Sequence, residues 1–546
     1  MTKFAGRRNL VEVNALGSTI VEFFQRFSRH KIACEEAWPG MTLGIDETEL
    51  EGVAEKAAFL INGSCYFSQL ADTLRRAKRK IWIIGWDFNP DILLEPEYSR
   101  QTLGGLLESL ALGNPDLEIK ILIWALGPAY SEKSLHVVAR ADFPRNDRIE
   151  LRFAFQSVLR GCHHQKLVCV DDTAAFIGGM DLTSRRWDTR RHKVRDRLRR
   201  DPDGAAYEPL HDLQVMVTGE AACLISAVAR QRWHEATGQI FEALSTKVAS
   251  DWPNCSAVSL FNVPVRLAVS EPDTLVRPGV HHGIRTTKEI IARANRQLYI
   301  ETQYLASFTV ADALVARLQE PLGPEIVIVC TATSHGMIEN TIMGGNRDRI
   351  IQRLRRADRY KRLRIFHPVI RDGTECAELF VHSKLLICDD NLLRIGSSNL
   401  NHRSEGMDTE CDILFEATGA DHRFAITRLR DLLIAEYLGC RADIVKNTVH
   451  RKGSLVAAID ELSVQSGCLL PFVPTDKKDG PVPGTAFFDP VRPLGQSVRL
   501  LLNRFMSRLP FAGMPAKHDF ADDEKHRTEH EREKKVDAAK CNQGAD

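Results

Sequence analysis

Two histidine–lysine pairs are the residues best equipped to do chemistry. His164-Gln165-Lys166 runs on through Leu-Val-Cys-Val to Asp171, and His382-Ser383-Lys384 runs on through Leu-Leu-Ile-Cys to Asp389. Both therefore read H-x-K-x4-D. A glycine follows seven residues after each aspartate, Gly178 in GGMD and Gly396 in GSSN. Two copies sharing this downstream spacing should arise by accident less than about one time in a hundred. An imidazole can attack as a nucleophile or carry a proton. An ammonium group close by can offset negative charge on a reacting group.

The spacing predicts the elements that carry these groups. VLRGCHHQKLVCVDD and LFVHSKLLICDD read as buried strands. Residues i and i+2 of a strand share a face, so each histidine is expected to project with its lysine. A turn and a second short apolar strand follow, AAFIGG in one copy and LLRIGSS in the other. Their small residues allow close approach of backbone or ligand. Asp181 and Asn399 fall at matching positions, 17 residues after their histidines. Upstream, LADTLRRAKRKIWIIGWDF and EIIARANRQLYIETQYL both read as a helix followed by a strand, with Trp82 matching Tyr299. IKILIWAL and IVIVCTA add a strand to each half, and IELRFAF and RLRIFHPV add another. The two histidines are 218 residues apart. That period is far longer than the ~20–50 residues of a solenoid, so the chain carries two related α/β lobes.

These residues resemble the phospholipase D superfamily, whose members carry paired motifs of this form. The resemblance covers roughly residues 56–440 and includes GGMDLTSRRWDT, PLHDLQVMVTGEAA, RQRW, IETQYL and GSSNLNHRSEGMDTECDI. It implies two similar mixed-sheet α/β lobes related by a pseudo-twofold, with one active site at their seam. It also implies phosphodiester chemistry. Such an ester is an anion with a poor leaving group, and a side-chain nucleophile splits its cleavage into two easier steps. One imidazole attacks phosphorus while the other protonates the departing oxygen and then activates water or an alcohol. Lysines and polar groups hold the non-bridging oxygens.

On the resemblance, His164 is the nucleophile and His382 the general acid/base; chemistry alone leaves their order open. The expected catalytic set is His164, Lys166, Asp171, His382, Lys384, Asp389, Asn399, Asp212 and Glu410. Within it, Asp171 and Asp389 sit at strand ends and read as structural turn contacts. Each histidine needs a partner on its other nitrogen. The resemblance points to acidic residues after each motif: Asp212 fits the first half and Glu410 the second, with Asp408 a competitor. Gly179, Asp181, Ser397 and Ser398 are expected to meet the substrate phosphate. Trp86 and Tyr304 read either as head-group lining or as core. No metal or other cofactor is expected, and His163 reads as a neighbour on the opposite strand face.

Composition bounds the rest. The chain has 546 residues, 44% apolar and 27% charged, with 73 basic against 72 acidic residues and a net charge of +1. That balance argues against a dedicated nucleic-acid binder. Thirteen cysteines are scattered and odd in number, several inside apolar strands, which reads as buried free thiols. The segment Arg185–Arg200 holds nine Lys/Arg and two Asp. It reads either as a solvated connection or as an arm that meets anionic phospholipid head groups or nucleic acid. The expected divisions are an N-terminal extension (1–50), a first lobe (51–270), a second lobe (271–465), a wrapping segment (466–514) and a charged tail (515–546). The piece from Asn9 to Phe27 reads as an amphipathic helix. The stretch from Pro493 reads as a helix that docks on the lobes or lies on a membrane.

Neither a transmembrane span nor a secretory signal is expected, so the reading is cytoplasmic or peripheral membrane, with signal-independent export left open. The expected activity is cleavage of a glycerophospholipid to phosphatidic acid and a free head group, or head-group exchange, by a monomer meeting its phospholipid at a membrane surface. The alternatives are a cardiolipin synthase-like phosphatidyltransferase and a superfamily nuclease.

Overall fold

A computed structural model describes residues 50–128, 143–158, 160–244, 252, 257–274, 277–333, 340–475 and 478–493. The chain divides into two compact units, Met1–Leu494 and Gly495–Asp546, and every described residue lies in the first. The helix expected near the N-terminus, the one expected beyond Pro493 and the charged tail lie outside the described residues.

The first half supplies β1 (Leu50–Ile61), β2 (Lys80–Gly85), β3 (Glu118–Trp124), β4 (Ile149–Ala154), β5 (Leu167–Val170), β6 (Ala174–Gly178), β7 (Leu210–His211) and β8 (Leu213–Gly219). The second supplies β9 (Leu260–Glu271), β10 (Val280–His281), β11 (Gln297–Thr302), β12 (Glu325–Cys330), β13 (Leu363–Asp372), β14 (Glu375–Glu378), β15 (Phe380–Val381), β16 (Lys384–Cys388), β17 (Leu392–Gly396), β18 (Glu410–Glu416) and β19 (Leu469–Pro471).

Pairing repeats with the sequence. The order β4-β3-β2-β5-β6-β8-β1 in one half matches β13-β12-β11-β16-β17-β18-β9 in the other. Registers match too: Ile81 opposes Val170 as Leu298 opposes Cys388, and Gly178 opposes Gln214 as Gly396 opposes Asp412. β1 and β9 pair antiparallel and join the halves into one mixed sheet. The lobe boundary expected at 270/271 therefore falls inside β9. LFNVPVRLAVSE shares no visible pattern with its counterpart LEGVAEKAAFLI, so the repeat becomes recognisable only at the following helix.

Both faces of the sheet are covered, which explains the unbroken apolar motif strands. Leu167 and Cys169 of β5, with Leu385 and Ile387 of β16, enter one core beneath helices Glu220–Thr237 and Ala420–Leu438. These two helices stop at Gly238 and Gly439, with φ of 76° and 63°, the left-handed cap that glycine adopts without strain. The alternate residues Val168 and Val170 face a separate core in the first half, and Leu386 and Cys388 face another in the second.

The chain just before each motif strand leaves its own half. His163 bridges Thr409, and Val381 of β15 pairs with His211 of β7. The His164 N–H donates to the Thr409 carbonyl at 3.0 Å, and the His382 N–H to the His211 carbonyl at 2.8 Å. These crossings stitch the seam where the motif histidines sit.

Candidate active site at the seam

The crossings bring each imidazole to a carboxylate of the opposite half. His164 Nδ1 lies 3.1 and 2.9 Å from the two oxygens of Glu410. His382 Nδ1 lies 2.7 Å from Asp212 Oδ2. The expectation had paired Asp212 with the first half and Glu410 with the second; the partners are exchanged. The reason is topological, because the strands bearing the acids are entered directly after the seam crossing. Asp408, the competitor, is taken by Arg403 and the Cys162 N–H.

With Nδ1 occupied, each ring presents Nε2 to the seam. Glu410 is held by Ser397 Oγ at 2.5 Å and Ser404 Oγ at 2.6 Å. Burial nevertheless pushes its carboxyl up to about 7, against the pull of those hydroxyls and of Lys166 and Lys384. Burial also raises Asp212, opposed chiefly by Lys384. Both imidazolium forms are strongly disfavoured. For His164 the causes are burial, then Lys166 and Lys384. For His382 they are burial, then Lys384, Arg186, Lys166 and His164 itself. Charges from both halves thus act on each ring, so the two motifs form one site.

The lysines differ. Lys166 Nζ donates to the His164 carbonyl at 2.7 Å and pairs with Asp181 Oδ2 at 3.3 Å. Lys384 Nζ sits 3.1 Å from Gln303 Oε1 and 3.2 Å from His382 Nδ1, and burial pulls it down to about 7. Its motif has Asn399 where the first has Asp181. Asn399 Oδ1 and Ser398 Oγ are buried without a hydrogen-bond partner. His164 and Lys166 do not lie on β5 as the alternation predicts; they precede it in irregular chain, because this stretch must reach across the seam.

Several expected roles are corrected. Asp171 accepts backbone N–H groups of Lys78, Arg79 and Lys80 at 2.7–2.8 Å. Asp389 does the same for Asn295, Arg296 and Gln297. Both close the start of a neighbouring strand, at the end of the motif strand away from the histidines. Asp181 Oδ1 accepts the Trp86 N–H at 2.7 Å while Oδ2 pairs with Lys166, so both of its oxygens are engaged within the protein. Ser397 is committed to Glu410. Gly179 makes room for Asp212, since a Cβ there would lie 2.4 Å from Asp212 Oδ1.

His163 turns away onto Arg232 Nη2 at 2.6 Å. The Trp86 ring packs against Trp124 at 5.7 Å. The basic segment is anchored by buried Trp187, Asp188, His192 and Arg199, yet most of its other basic side chains are exposed. From it Arg186 adds positive potential at His382, Lys384 and Asp212. Arg186, Gln303 and Ser404 escaped sequence reasoning. Only Ser404, six residues before Glu410, had a nearby signal.

Residues 73–311 match the family described as "Phospholipase D", and residues 287–425 match "Cardiolipin synthase, PLD-like domain". The chain is 26% identical over 498 residues to "Phospholipase D1" of Saccharomyces cerevisiae, covering 71% of this chain and 29% of that protein. It is 25% identical over 488 residues to "Phospholipase D alpha 2" of Oryza sativa subsp. japonica, covering 64% of this chain and 59% of that protein. The chain thus spans less than a third of the yeast protein. Among solved structures, a phosphatidylserine synthase of Haemophilus influenzae matches 77% of this chain and 97% of its own, at 14% identity and a TM-score of 0.47.

Proposed function

Because the chain belongs to the phospholipase D superfamily, we propose that it is a phospholipase D-type phosphodiesterase acting on glycerophospholipids. The observation that carries this reading is the crossed pair of imidazole–carboxylate contacts, His164 with Glu410 and His382 with Asp212, inside one field of lysines.

His164 attacks phosphorus through Nε2, its Nδ1–H held by Glu410. The bond to the head-group oxygen breaks, and His382 gives that oxygen its proton. Water, or an acceptor alcohol, then attacks the phosphohistidine and passes its proton to His382. The N–P bond breaks, leaving phosphatidic acid or an exchanged lipid. Lys166, Lys384 and Asn399 hold the non-bridging oxygens, with Ser398 Oγ free to join them. Burial, then Lys384, Arg186 and Lys166, disfavours the protonated form of His382. A bound phosphodiester offsets their charge, so the acid acquires its proton with the substrate.

No helix among the described residues is long and apolar enough to cross a membrane. Purified protein should release choline or another head group from labelled phospholipid vesicles and, with added ethanol, form phosphatidylethanol. Cardiolipin made from phosphatidylglycerol without head-group release would replace this reading with a phosphatidyltransferase. Nicking of plasmid DNA with no action on lipid would replace it with a nuclease.

A further inference from the structure

Beneath His382 lies a run of buried ionisable groups contributed by both halves. Asp188 Oδ2 meets His192 Nδ1 at 3.0 Å, and His192 Nε2 meets Glu436 Oε1 at 3.0 Å. His211 Nδ1 meets the same Glu436 oxygen at 2.8 Å, and His211 Nε2 meets Glu301 Oε2 at 3.1 Å. The Ser383 hydroxyl donates to Glu301 Oε2 at 2.7 Å. Every member is buried. The run ends on the middle residue of the second motif.

His192, His211 and Glu436 bring three donor atoms within 4.8 Å, a spacing that could suit a metal ion. The cluster is instead filled by hydrogen bonds. Glu436 Oε1 also accepts the Asn62 amide at 2.8 Å, and Oε2 is held by Arg190 Nε at 2.7 Å. A carboxylate oxygen serving three N–H donors has no lone pair directed at a cation.

The matching positions around His164 are Thr409 for His211, Gln165 for Ser383 and Ile84 for Glu301. There Gln165 Nε2 donates to the Glu410 carbonyl at 3.2 Å, while Thr409 Oγ1 meets His163 Nδ1 at 3.3 Å and leads on to Arg232, away from Gln165. His211 alone reaches the second histidine by three routes. Its carbonyl accepts the His382 N–H. Its ring holds Glu301, which holds Ser383. Its chain neighbour Asp212 holds His382 Nδ1.

We propose that His211 is a positioning residue for His382, with Glu301 and Ser383 as its arms and Glu436 as its anchor. The proposal rests on the reading of His382 as the acid/base. That role needs the ring fixed closely enough to serve leaving group and water in turn, and a misplacement of about 1 Å costs on the order of 10²-fold in rate. Without the His211 ring, Glu301 and Glu436 become buried carboxylates with a partner missing. Glu301 then keeps the Tyr299 hydroxyl on Oε1 but loses the cation on Oε2, the oxygen that accepts from Ser383.

The test uses the full chain at a temperature well below its melting point, with phosphatidylcholine vesicles as substrate. His211→Gln should lower kcat about 10–100-fold with KM within about twofold. Ser383→Ala, a variant with little risk to folding, should lower kcat about 5–10-fold. The double variant should be no slower than His211→Gln, because both act on one step. In ¹⁵N-histidine NMR spectra, the His382 Nδ1–H signal bonded to Asp212 should shift or broaden in both single variants. Wild-type kcat together with an unmoved His382 signal in both variants would overturn the proposal, whatever happens to the melting temperature. A wild-type protein inert toward phosphodiesters would sink the parent reading instead, and the NMR signal would still judge this one.

Discussion

His164 and His382 occupy equivalent places in a duplicated framework, yet their surroundings have diverged. His164 shares both oxygens of a glutamate clamped by two serines; His382 meets one oxygen of an aspartate that takes its other support from the Leu213 N–H. Lys166 has a buried counter-ion in Asp181, while Lys384 meets the amide oxygen of Gln303 and the position matching Asp181 holds the uncharged Asn399. The framework fixes where two rings stand. On the proposed mechanism, the divergent neighbours suit His164 to nucleophilic attack and His382 to proton transfer.

Removing either ring is the harshest challenge to this contrast. His164→Ala and His382→Ala should each reduce head-group release by at least about 10³-fold, with melting temperature nearly unchanged. Only His382→Ala should accumulate a phosphoenzyme from a substrate with a good leaving group, detected by mass spectrometry. The carboxylates come next. Glu410→Gln and Asp212→Asn should each cost about 10²–10⁴-fold in kcat by spoiling the tautomer, measured by steady-state kinetics. Glu410→Gln should slow phosphoenzyme formation itself.

The pH profile separates the two sides further. As pH falls below about 7, Glu410 takes up a proton and ceases to accept from His164. As pH rises above about 7, Lys384 loses its charge. A plot of kcat/KM, which reports the free enzyme, should therefore be a narrow bell centred near neutrality. Asn399→Asp would make the second half resemble the first. The new carboxylate should move the alkaline limb up by on the order of one pH unit while raising KM for the anionic lipid. A smaller effect is expected from Gly179→Ala, whose Cβ must displace Asp212, at about 1–3 kcal/mol of stability by chemical denaturation. Gly113→Ala has open space and should be neutral or stabilising.

Much of the framework is readable in the sequence because it is periodic or repeated. Motif strands buried on both faces print unbroken apolar runs, and the helix–strand units before them recur in register. The crossed acids are not readable, because 246 residues separate His164 from Glu410 and 170 separate Asp212 from His382. Only the exchange of segments at the seam decides which acid meets which ring. Asp181 and Ser397 mislead for a related reason: a polar residue near a motif glycine can hold a substrate or hold the residue that does, and spacing is the same for both. Gln165 and Ser383, the variable middle residues of the motifs, look free in the sequence, yet each ties its motif to a different neighbour.

The mechanism requires two imidazoles to address one phosphorus from opposite sides. A crystal structure with vanadate bound tests this most directly. The expected result is a five-coordinate vanadium with His164 Nε2 as one axial ligand and His382 Nε2 within hydrogen-bond reach of the opposite axial oxygen. Vanadate seated on one histidine alone, with the other ring turned out of reach, would contradict it.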